Sequence, residues 1–231
     1  MILQLIDSEV TYMEKDTAAF TRLLLDGNQN RAWQMVEARH ADGAEPITIF
    51  QELLTPAMAH IGILWEEDQI SVADEHLATT TCDFVLSRYQ QHILTEPKQT
   101  ESNKKAMFLC IEDELHHLGL KMVSILFELY GYKTKLFGAN LPLEYALITA
   151  ADWQPDVIGL SFSLRKHANR LNHYIQELEQ IEHSPVVIVG GRIVSTINKA
   201  EYCSDKTRLF HALSDLHEWL SNTEEKENSH V

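Results

Sequence analysis

The sequence predicts an N-terminal four- to five-helix bundle followed by a flavodoxin-like (Rossmann-like) five-stranded parallel sheet flanked by helices. Three observations predict it. Up to about residue 95, apolar residues recur at helical spacing and strand alternation is absent. Residues 96–105 are polar and free of large hydrophobic side chains, which is typical of a linker. From residue 106, short apolar runs alternate with amphipathic segments, which is the pattern of successive β–α units.

Four long helical segments are predicted within the bundle, residues 1–95. They cover about residues 7–25, 29–41, 46–65 and 71–94. The third carries an apolar stripe, formed by Ile49, Leu53, Leu54, Met58, Ile61 and Leu64. Ser71 followed by Asp74 has the spacing of a capping box, so the fourth helix is expected to begin there.

The second domain is predicted over residues 106–221. Its strands are expected at 106–111, 134–137, 157–162, 186–189 and about 207–210. Its helices are expected at 118–129, 143–151 and 171–181, with a last one ending near residue 220. Residues 222–231 are charged and polar and are predicted to be a frayed tail.

Composition excludes several functional classes. The 231 residues carry a formal net charge of −15, which argues against direct binding to a nucleic-acid backbone. The three cysteines are widely spaced and odd in number, so reduced, buried thiols are expected rather than a zinc site or a disulfide framework. No apolar run approaches the ~18 residues of a membrane span. The N-terminus lacks the basic region of a signal peptide, so we expect a cytoplasmic protein without membrane contact.

The most informative motif is Glu114-Leu115-His116-His117-Leu118-Gly119, directly after the first predicted strand. A histidine at the end of a strand, two residues after a carboxylate, suits an axial metal ligand because the carboxylate can bond the imidazole and fix its tautomer. Gly119 would let a bulky group approach the backbone. His117 is expected to face solvent.

Two further polar loops follow strands three and four, namely Ser161-Phe162-Ser163 and Gly190-Gly191. In an open α/β sheet, ligands bind beyond the carboxyl ends of the strands, where these loops and the His116 loop are expected to meet. We therefore include Ser161, Ser163, Gly190 and Gly191 in one candidate ligand site with His116.

Together these motifs resemble the Asp-x-His-x-x-Gly, Ser-x-Leu and Gly-Gly motifs of cobalamin-binding domains. The resemblance implies that His116 is the lower axial ligand of cobalt, that Ser161 bonds the nucleotide tail, and that the glycine pair lets the tail pass. Two positions depart from the pattern. Glu114 replaces Asp, as it does in cobalamin-dependent light-sensing regulators, and Ser163 replaces Leu.

The bundle carries a second motif, Trp65, nine intervening residues, then Glu75-His76. It resembles the Trp-x9-Glu-His motif in the helical cap of photoreceptors of the CarH/LitR type. That resemblance implies that Trp65 packs on the upper face of the corrin, and that Glu75 and His76 line the same pocket. Glu66 stands where the light-sensing repressors have a histidine that ligates cobalt after illumination. Either another residue, such as His76 or His60, takes that role, or the illuminated state differs from theirs.

The resemblance covers about residues 7–220 and implies a stand-alone, non-enzymatic sensor that lacks the DNA-binding domain of those repressors. Adenosylcobalamin is the expected cofactor and light the expected stimulus. The output is expected to pass to a separate regulatory protein, such as a kinase, response regulator or repressor, or to a change in homo-oligomeric state. This function belongs to signal transduction and transcription regulation.

Two alternatives remain open. The first is a corrinoid methyl carrier of a methyltransferase system, which would use methylcobalamin; such proteins share the layout but usually have Asp in the histidine motif and lack Trp-x9-Glu-His. The second keeps the fold with haem or no cofactor, since an imidazole also ligates haem iron. No nucleophile–base–orienter set supports a hydrolase. Surface or helix-face roles are expected for His40, His92, His167, His173, His183, His211, His217 and His230.

Overall fold

A computed structural model describes residues 12–95, 103–192, 194 and 199–228. The chain divides into two compact units, Met1–Glu96 and Pro97–Val231. The helical unit contains α1 (Tyr12–Leu25), α2 (Gln29–Ala41), α3 (Pro46–Ile49), α4 (Thr55–Glu66) and α5 (Val72–Leu94). The predicted capping box is present at the start of α5, where Ser71 and Asp74 bond each other's backbone N–H groups. The predicted linker lies mostly outside the described residues.

The third predicted helix contains an irregularity that sequence analysis did not anticipate. Between α3 and α4, residues Phe50–Leu54 form a π-helical turn, so the whole run from Pro46 to Glu66 is one continuous helix. Pro56 follows this turn and has no N–H to donate to a preceding carbonyl. The carbonyl of Glu52 instead accepts a hydrogen bond from the Thr17 hydroxyl at 3.4 Å. The turn is therefore accommodated by packing against α1.

Within the described residues, the same run is the one helix that meets the length and composition of a membrane span. It has 21 residues with a mean hydropathy of 1.3, and 33% of the segment is buried. No such segment was expected from the sequence. The core helix of a bundle meets the same criteria, because it must be apolar where it faces its neighbours. Its buried residues include Ile49, Leu53 and Ile61.

The second unit is a five-stranded parallel sheet, which confirms the predicted fold class. Its strands are β1 (Lys105–Ile111), β2 (Lys133–Leu141), β3 (Val157–Ser161), β4 (Val186–Gly190) and β5 (Arg208–Leu209). They lie in the order β2-β1-β3-β4-β5. The helices of this unit are α6 (Leu118–Leu129), α7 (Leu143–Trp153), α8 (Ala168–Glu179), α9 (Lys199–Tyr202) and α10 (Leu213–Asn228). The central strands are buried along their length, as expected for a parallel sheet covered on both faces.

Three boundaries in the second unit differ from the prediction by three residues or more. Strand β2 extends to Leu141, beyond the predicted end at residue 137. Helix α8 begins at Ala168, before the predicted start at residue 171. The tail expected to fray from residue 222 continues α10 as far as Asn228, because its Glu and Lys residues favour a helix.

The register of the sheet brings three loops to one edge. Cys110 of β1 pairs with Ser161 of β3, and Ser161 pairs with Gly190 of β4. All three strands are parallel, so the segments after residues 111, 161 and 190 leave the sheet side by side. The predicted site residues of this unit therefore belong to one neighbourhood.

Candidate functional site

The centre of the site is a contact between a buried carboxylate and a half-exposed imidazole. Glu114 is fully buried, whereas 55% of the His116 side chain is exposed. Glu114 Oε1 accepts hydrogen bonds from the His116 Nδ1 atom at 2.5 Å and from the His116 backbone N–H at 3.0 Å. The carboxylate therefore selects the tautomer with the proton on Nδ1 and leaves the Nε2 lone pair available to a ligand.

The second carboxylate oxygen of Glu114 is also engaged. Oε2 accepts a hydrogen bond of 2.8 Å from the backbone N–H of Ser163. Burial raises the pKa of Glu114, but hydrogen bonds from His116 and Ser163 outweigh it and lower the pKa to about 2. Burial, aided by the negative charge of Glu114, raises the pKa of the Cys110 thiol to about 12. At neutral pH the site therefore holds a carboxylate and a neutral thiol.

The loop before Glu114 is held by a set of hydrogen bonds that we call the loop clasp, formed by Asp113, Asn140 and Arg170. Asp113 and Asn140 both have positive φ, +66° and +56°. The Asp113 N–H donates to Asn140 Oδ1 at 2.9 Å, and the Asn140 N–H donates to the Glu114 carbonyl at 3.0 Å. Arg170 Nη1 donates to the Glu112 carbonyl at 2.8 Å and to Asp113 Oδ2 at 2.7 Å. These bonds offset the free-energy cost of the left-handed backbone at Asp113 and Asn140. They also hold the loop so that the Glu114 side chain points into the interior.

The two predicted serines both contact the segment Glu114–His116. The Ser161 hydroxyl donates to the His116 carbonyl at 3.3 Å, and the Cys110 thiol lies 3.7 Å from the same oxygen. Ser163 reaches Glu114 through its backbone N–H. Since any residue other than proline supplies that N–H, Ser163 can replace the Leu of the motif without loss of this bond.

The three predicted glycines have different surroundings. A Cβ atom added at Gly119 or Gly190 would meet nothing within 4 Å. At Gly191, where φ is +139°, it would lie 1.9 Å from the Phe162 carbonyl oxygen. Gly191 is therefore required by the close approach of its own chain, whereas Gly119 and Gly190 leave open space beside the His116 loop.

In the helical unit, the residues of the Trp-x9-Glu-His motif lie at one end. Trp65 is in the last turn of α4 and 47% of it is exposed. Glu75 and His76 are in the first turns of α5, and the short connection Glu67–Ser71 joins the two helices. His76 Nδ1 lies 2.8 Å from Glu75 Oε2, whose other oxygen accepts a bond from the Thr79 hydroxyl at 2.9 Å. The end of the unit thus presents an indole and an ordered Glu–His pair to solvent.

The expectation that His167 lies on the surface is wrong. This residue is 6% exposed, and its Nδ1 atom lies 3.8 Å from Glu114 Oε2. A 3₁₀ turn, Arg165–His167, directs its imidazole inward while Arg165 and Lys166 remain exposed. His167 lies four residues before Leu171 and seven before Tyr174, in phase with the buried residues of α8, so the helical period gave a signal for its burial once the helix is started at its true beginning. His117, expected to face solvent, is half-buried, with Nδ1 3.2 Å from the Leu115 carbonyl.

Comparison with known proteins gives a consistent result for both units. Two family models, each described as a B12 binding domain, match the chain, one over residues 17–89 and the other over residues 104–206. Together they cover more than half of the chain.

Two curated relatives differ in function. The HTH-type transcriptional repressor CarH of Myxococcus xanthus is 26% identical over 147 residues, which are 63% of this chain and 48% of the repressor. The chain thus spans about half the length of that relative. Trimethylamine corrinoid protein 1 of Methanosarcina acetivorans is 19% identical over 177 residues, which are 74% of this chain and 81% of that protein.

Among solved structures, the monomethylamine corrinoid protein of Methanosarcina barkeri matches with a TM-score of 0.70 at 14% identity. The match covers 89% of this chain and 96% of that one. At this identity, the likeness shows a common fold.

Proposed function

Since the chain belongs to the family of cobalamin-binding proteins, we propose that it uses the bound cofactor as a light sensor, with His116 as the lower axial ligand of cobalt. The observation that supports the ligand role is the His116–Glu114 contact. A proton held on Nδ1 leaves Nε2 on the half-exposed side of the ring as a neutral nitrogen donor, which is the form that binds metal ions. The donor set therefore fits a corrinoid.

The open space at Gly119 and Gly190 also supports this proposal. Both glycines border loops at the carboxyl edge of the sheet, and neither is needed to relieve a contact within the chain. We propose that this space admits the macrocycle and its tail beside His116. Ser161, Ser163 and Gly191 would then shape the site from within, because their described contacts are to the chain itself.

The sensor role rests on the end of the helical unit formed by Trp65, Glu75 and His76. An indole that is 47% exposed has a large apolar face available for a ligand. We propose that this end covers the upper face of the cofactor, with Trp65 packed on the upper ligand and the Glu75–His76 pair beside it. Adenosylcobalamin, when bound, supplies a cobalt–carbon bond that is broken by light. Trp65 would lose its packing surface on illumination, and this loss would favour a second arrangement of the helical unit.

The output of such a switch must reach another protein or another copy of this chain. We propose a regulatory partner, such as a kinase, response regulator or repressor, or a change of oligomeric state. The protein would then act through its conformation and not as a catalyst. Its net charge of −15 favours a partner with a basic surface.

The test is a pair of absorption spectra. The protein is reconstituted with adenosylcobalamin in the dark, measured, illuminated with green light and measured again, with size-exclusion chromatography on both samples. A light-dependent spectrum together with a shift in elution is expected. Protein loaded with hydroxocobalamin, which has no alkyl group, is the control and should not respond. Loading without any change on illumination would exclude the light-sensing role.

A corrinoid methyl carrier is the second candidate, and the match to most of the trimethylamine corrinoid protein favours it. A carrier exposes the upper face of its cofactor to a methyltransferase, so it gains nothing from an indole on that face. Competition between methylcobalamin and adenosylcobalamin separates the two candidates. A sensor of the proposed kind should prefer the adenosyl form, and Trp65→Ala should abolish that preference. If the wild type and the Trp65→Ala variant each bound methylcobalamin and adenosylcobalamin with equal affinity, the carrier would be favoured.

A further inference from the structure

Four large hydrophobic side chains of the second unit are exposed on two neighbouring elements, β2 and α7. Leu136 and Phe137 of β2 are each 37% exposed. In α7, Tyr145 is 55% exposed and Ile148 is 65% exposed. The last two residues are three positions apart, so they share one face of the helix. Leu136, Phe137 and Ile148 line a common groove between the strand and the helix. We call the four residues the edge patch.

The edge patch lies at a border of the sheet. Strand β2 is the first in the order β2-β1-β3-β4-β5 and pairs with β1 alone within the sheet that the structure describes. Its register with β1 is regular from Lys133 to Leu136 and shifts after that point. An irregular edge disfavours continuous pairing with another strand, so side chains rather than a backbone ladder would carry a contact here. Contiguous exposed apolar side chains of this kind indicate a protein–protein interface.

Charges of different sign lie at the two ends of the edge patch. Lys135 Nζ is 4.6 Å from the centre of the Trp153 ring, so the start of β2 lies beside the end of α7. This end carries two lysines, Lys133 and Lys135, against one exposed carboxylate, Asp152. The opposite end, where β2 leads into α7, carries the exposed Glu144 in the first turn of the helix. The edge patch is therefore apolar in its middle, basic at one end and acidic at the other.

We propose that the edge patch binds a second copy of this chain about a two-fold axis, with the two β2 strands antiparallel and the two α7 helices facing each other. A two-fold axis through the middle of the patch places its apolar residues against the same residues of the other copy. It also brings the Lys133 end of each copy to the Glu144 end of the other. The rest of a chain with a net charge of −15 repels a second copy, so a surface that pairs opposite charges is the favoured place of contact.

The apolar area of the edge patch is of the size that a dimer needs. At ~200 Å² for one large side chain, the exposed fractions of the four residues amount to roughly 800 Å² in two copies. Stable interfaces bury about 1,200–2,000 Å² in total, of which a little more than half is apolar. The edge patch alone therefore supplies the apolar share of a standard interface. The contact involves neither the cofactor nor its proposed ligands, so it goes beyond the proposed function.

The first measurement is sedimentation velocity of the cofactor-free protein. Concentrations run from about 1 µM to about 200 µM, because association follows mass action. We expect a reversible monomer–dimer equilibrium without larger species, as a closed two-fold contact requires. A monomer at every concentration would overturn the proposal and assign the edge patch to a different protein. Growth beyond the dimer would overturn the two-fold arrangement.

The second measurement places one charge in the middle of the edge patch. Ile148→Glu should weaken dimerisation by at least about tenfold, because the carboxylate would be buried in an apolar contact. Val72→Glu is the matched control, since Val72 is a 57% exposed residue of the helical unit and the variant gains the same charge. It should dimerise like the wild type. Circular dichroism and urea titration verify that both variants fold, and equal weakening in both would overturn the role of the edge patch.

The third measurement tests the orientation by charge reversal. Lys133→Glu and Glu144→Lys change the net charge in opposite directions, yet each should weaken the dimer, because each places like charges together across the axis. The double variant should regain wild-type association. Nine residues of β2 span roughly 25 Å, beyond the ~8–10 Å over which salt screens charges, so no contact within one chain can produce this recovery. Weakening by one reversal and strengthening by the other would show a response to net charge alone and overturn the orientation.

These measurements can fail independently of the proposed function. A chain that dimerises through the edge patch but does not bind cobalamin would contradict the proposed function alone. A chain that binds cobalamin but stays monomeric at every concentration would contradict the dimer alone.

Discussion

His116 Nδ1 lies 2.5 Å from Glu114 Oε1, so a half-exposed imidazole is tied to a carboxylate that has no solvent contact. The two residues are separated by one position in the chain, and the His116 backbone N–H bonds the same oxygen at 3.0 Å. The carboxylate therefore fixes both the ring and the backbone of its neighbour. Any change at Glu114 is expected to alter the direction in which His116 offers its free nitrogen.

Replacing Glu114 by Gln should therefore affect folding and binding together. The amide keeps the size of the side chain but directs an NH₂ group at one of the donors, either His116 Nδ1 or the Ser163 N–H. We expect a loss of about 1–3 kcal/mol in the free energy of unfolding, measured by urea titration of the cofactor-free protein. Cobalamin affinity should fall by at least tenfold. Glu112→Gln, at an exposed position of the same loop, should change stability by less than ~0.5 kcal/mol.

From the loop clasp, we expect two substitutions of Asn140 to lower stability by different amounts. Asn140→Gly keeps the positive φ at no steric cost but removes the acceptor for the Asp113 N–H. Asn140→Ala removes the acceptor and also places a Cβ in the left-handed region, at a further cost of about 1 kcal/mol. Urea midpoints should fall in the order wild type, Gly variant, Ala variant. Equal midpoints for the two variants would show that the backbone at Asn140 relaxes once its side chain is lost.

Substitution by alanine should have contrasting effects on stability at the adjacent glycines Gly190 and Gly191. Gly191→Ala places a Cβ 1.9 Å from the Phe162 carbonyl oxygen at a φ of +139°, so we expect a loss of about 2 kcal/mol or more in thermal or urea unfolding. Gly190→Ala meets nothing within 4 Å and should leave the stability of the cofactor-free protein nearly unchanged. It should nevertheless reduce cobalamin affinity if the nucleotide tail of the cofactor passes beside Gly190. A Gly190 variant that binds normally would remove this glycine from the site.

Trp65 and Trp33 provide a similar contrast in the helical unit. Trp65 is 47% exposed, so Trp65→Ala should cost little stability while it changes the dark spectrum and the response to light. Trp33 is 3% exposed and packs against His92, with ring centroids 5.6 Å apart. Trp33→Ala should destabilise the protein by about 3–5 kcal/mol. A Trp65 variant with an unchanged spectrum and light response would show that its indole does not touch the upper ligand.

Much of the fold follows from periodicity. Helices α2 and α6 have the predicted bounds because each carries regularly spaced apolar residues and is followed within two residues by a glycine of positive φ, Gly43 and Gly131. The π-helical turn at Phe50–Leu54 does not disturb the apolar pattern enough to be seen in the sequence. The end of β2 was missed because its last residues, from Gly138, are largely exposed and carry little apolar signal.

The contacts of the site also fall into two groups, local contacts that the sequence can predict and distant contacts that it cannot. Glu114 and His116 are two residues apart, so their contact can be predicted from a strand end and a spacing. The Ser163 N–H comes from a position 49 residues away, and a backbone donor leaves no trace in residue type. His167 was missed because the helix was predicted to begin at residue 171, which left this residue outside the apolar stripe that it precedes by one turn. Gly191 was assigned to the site for its motif, but its surroundings give it a separate structural requirement.

The π-helical turn has a consequence for a residue several turns away. A π turn accommodates one residue more than an α-helix of the same length, and each residue of an α-helix advances the azimuth by about 100°. If the same residues formed a regular α-helix without the π turn, Trp65 would therefore lie about 100° further around the helix axis. The direction in which the exposed indole of Trp65 points thus depends on the extra residue in the π-helical turn earlier in the same helix, and not only on its immediate neighbours.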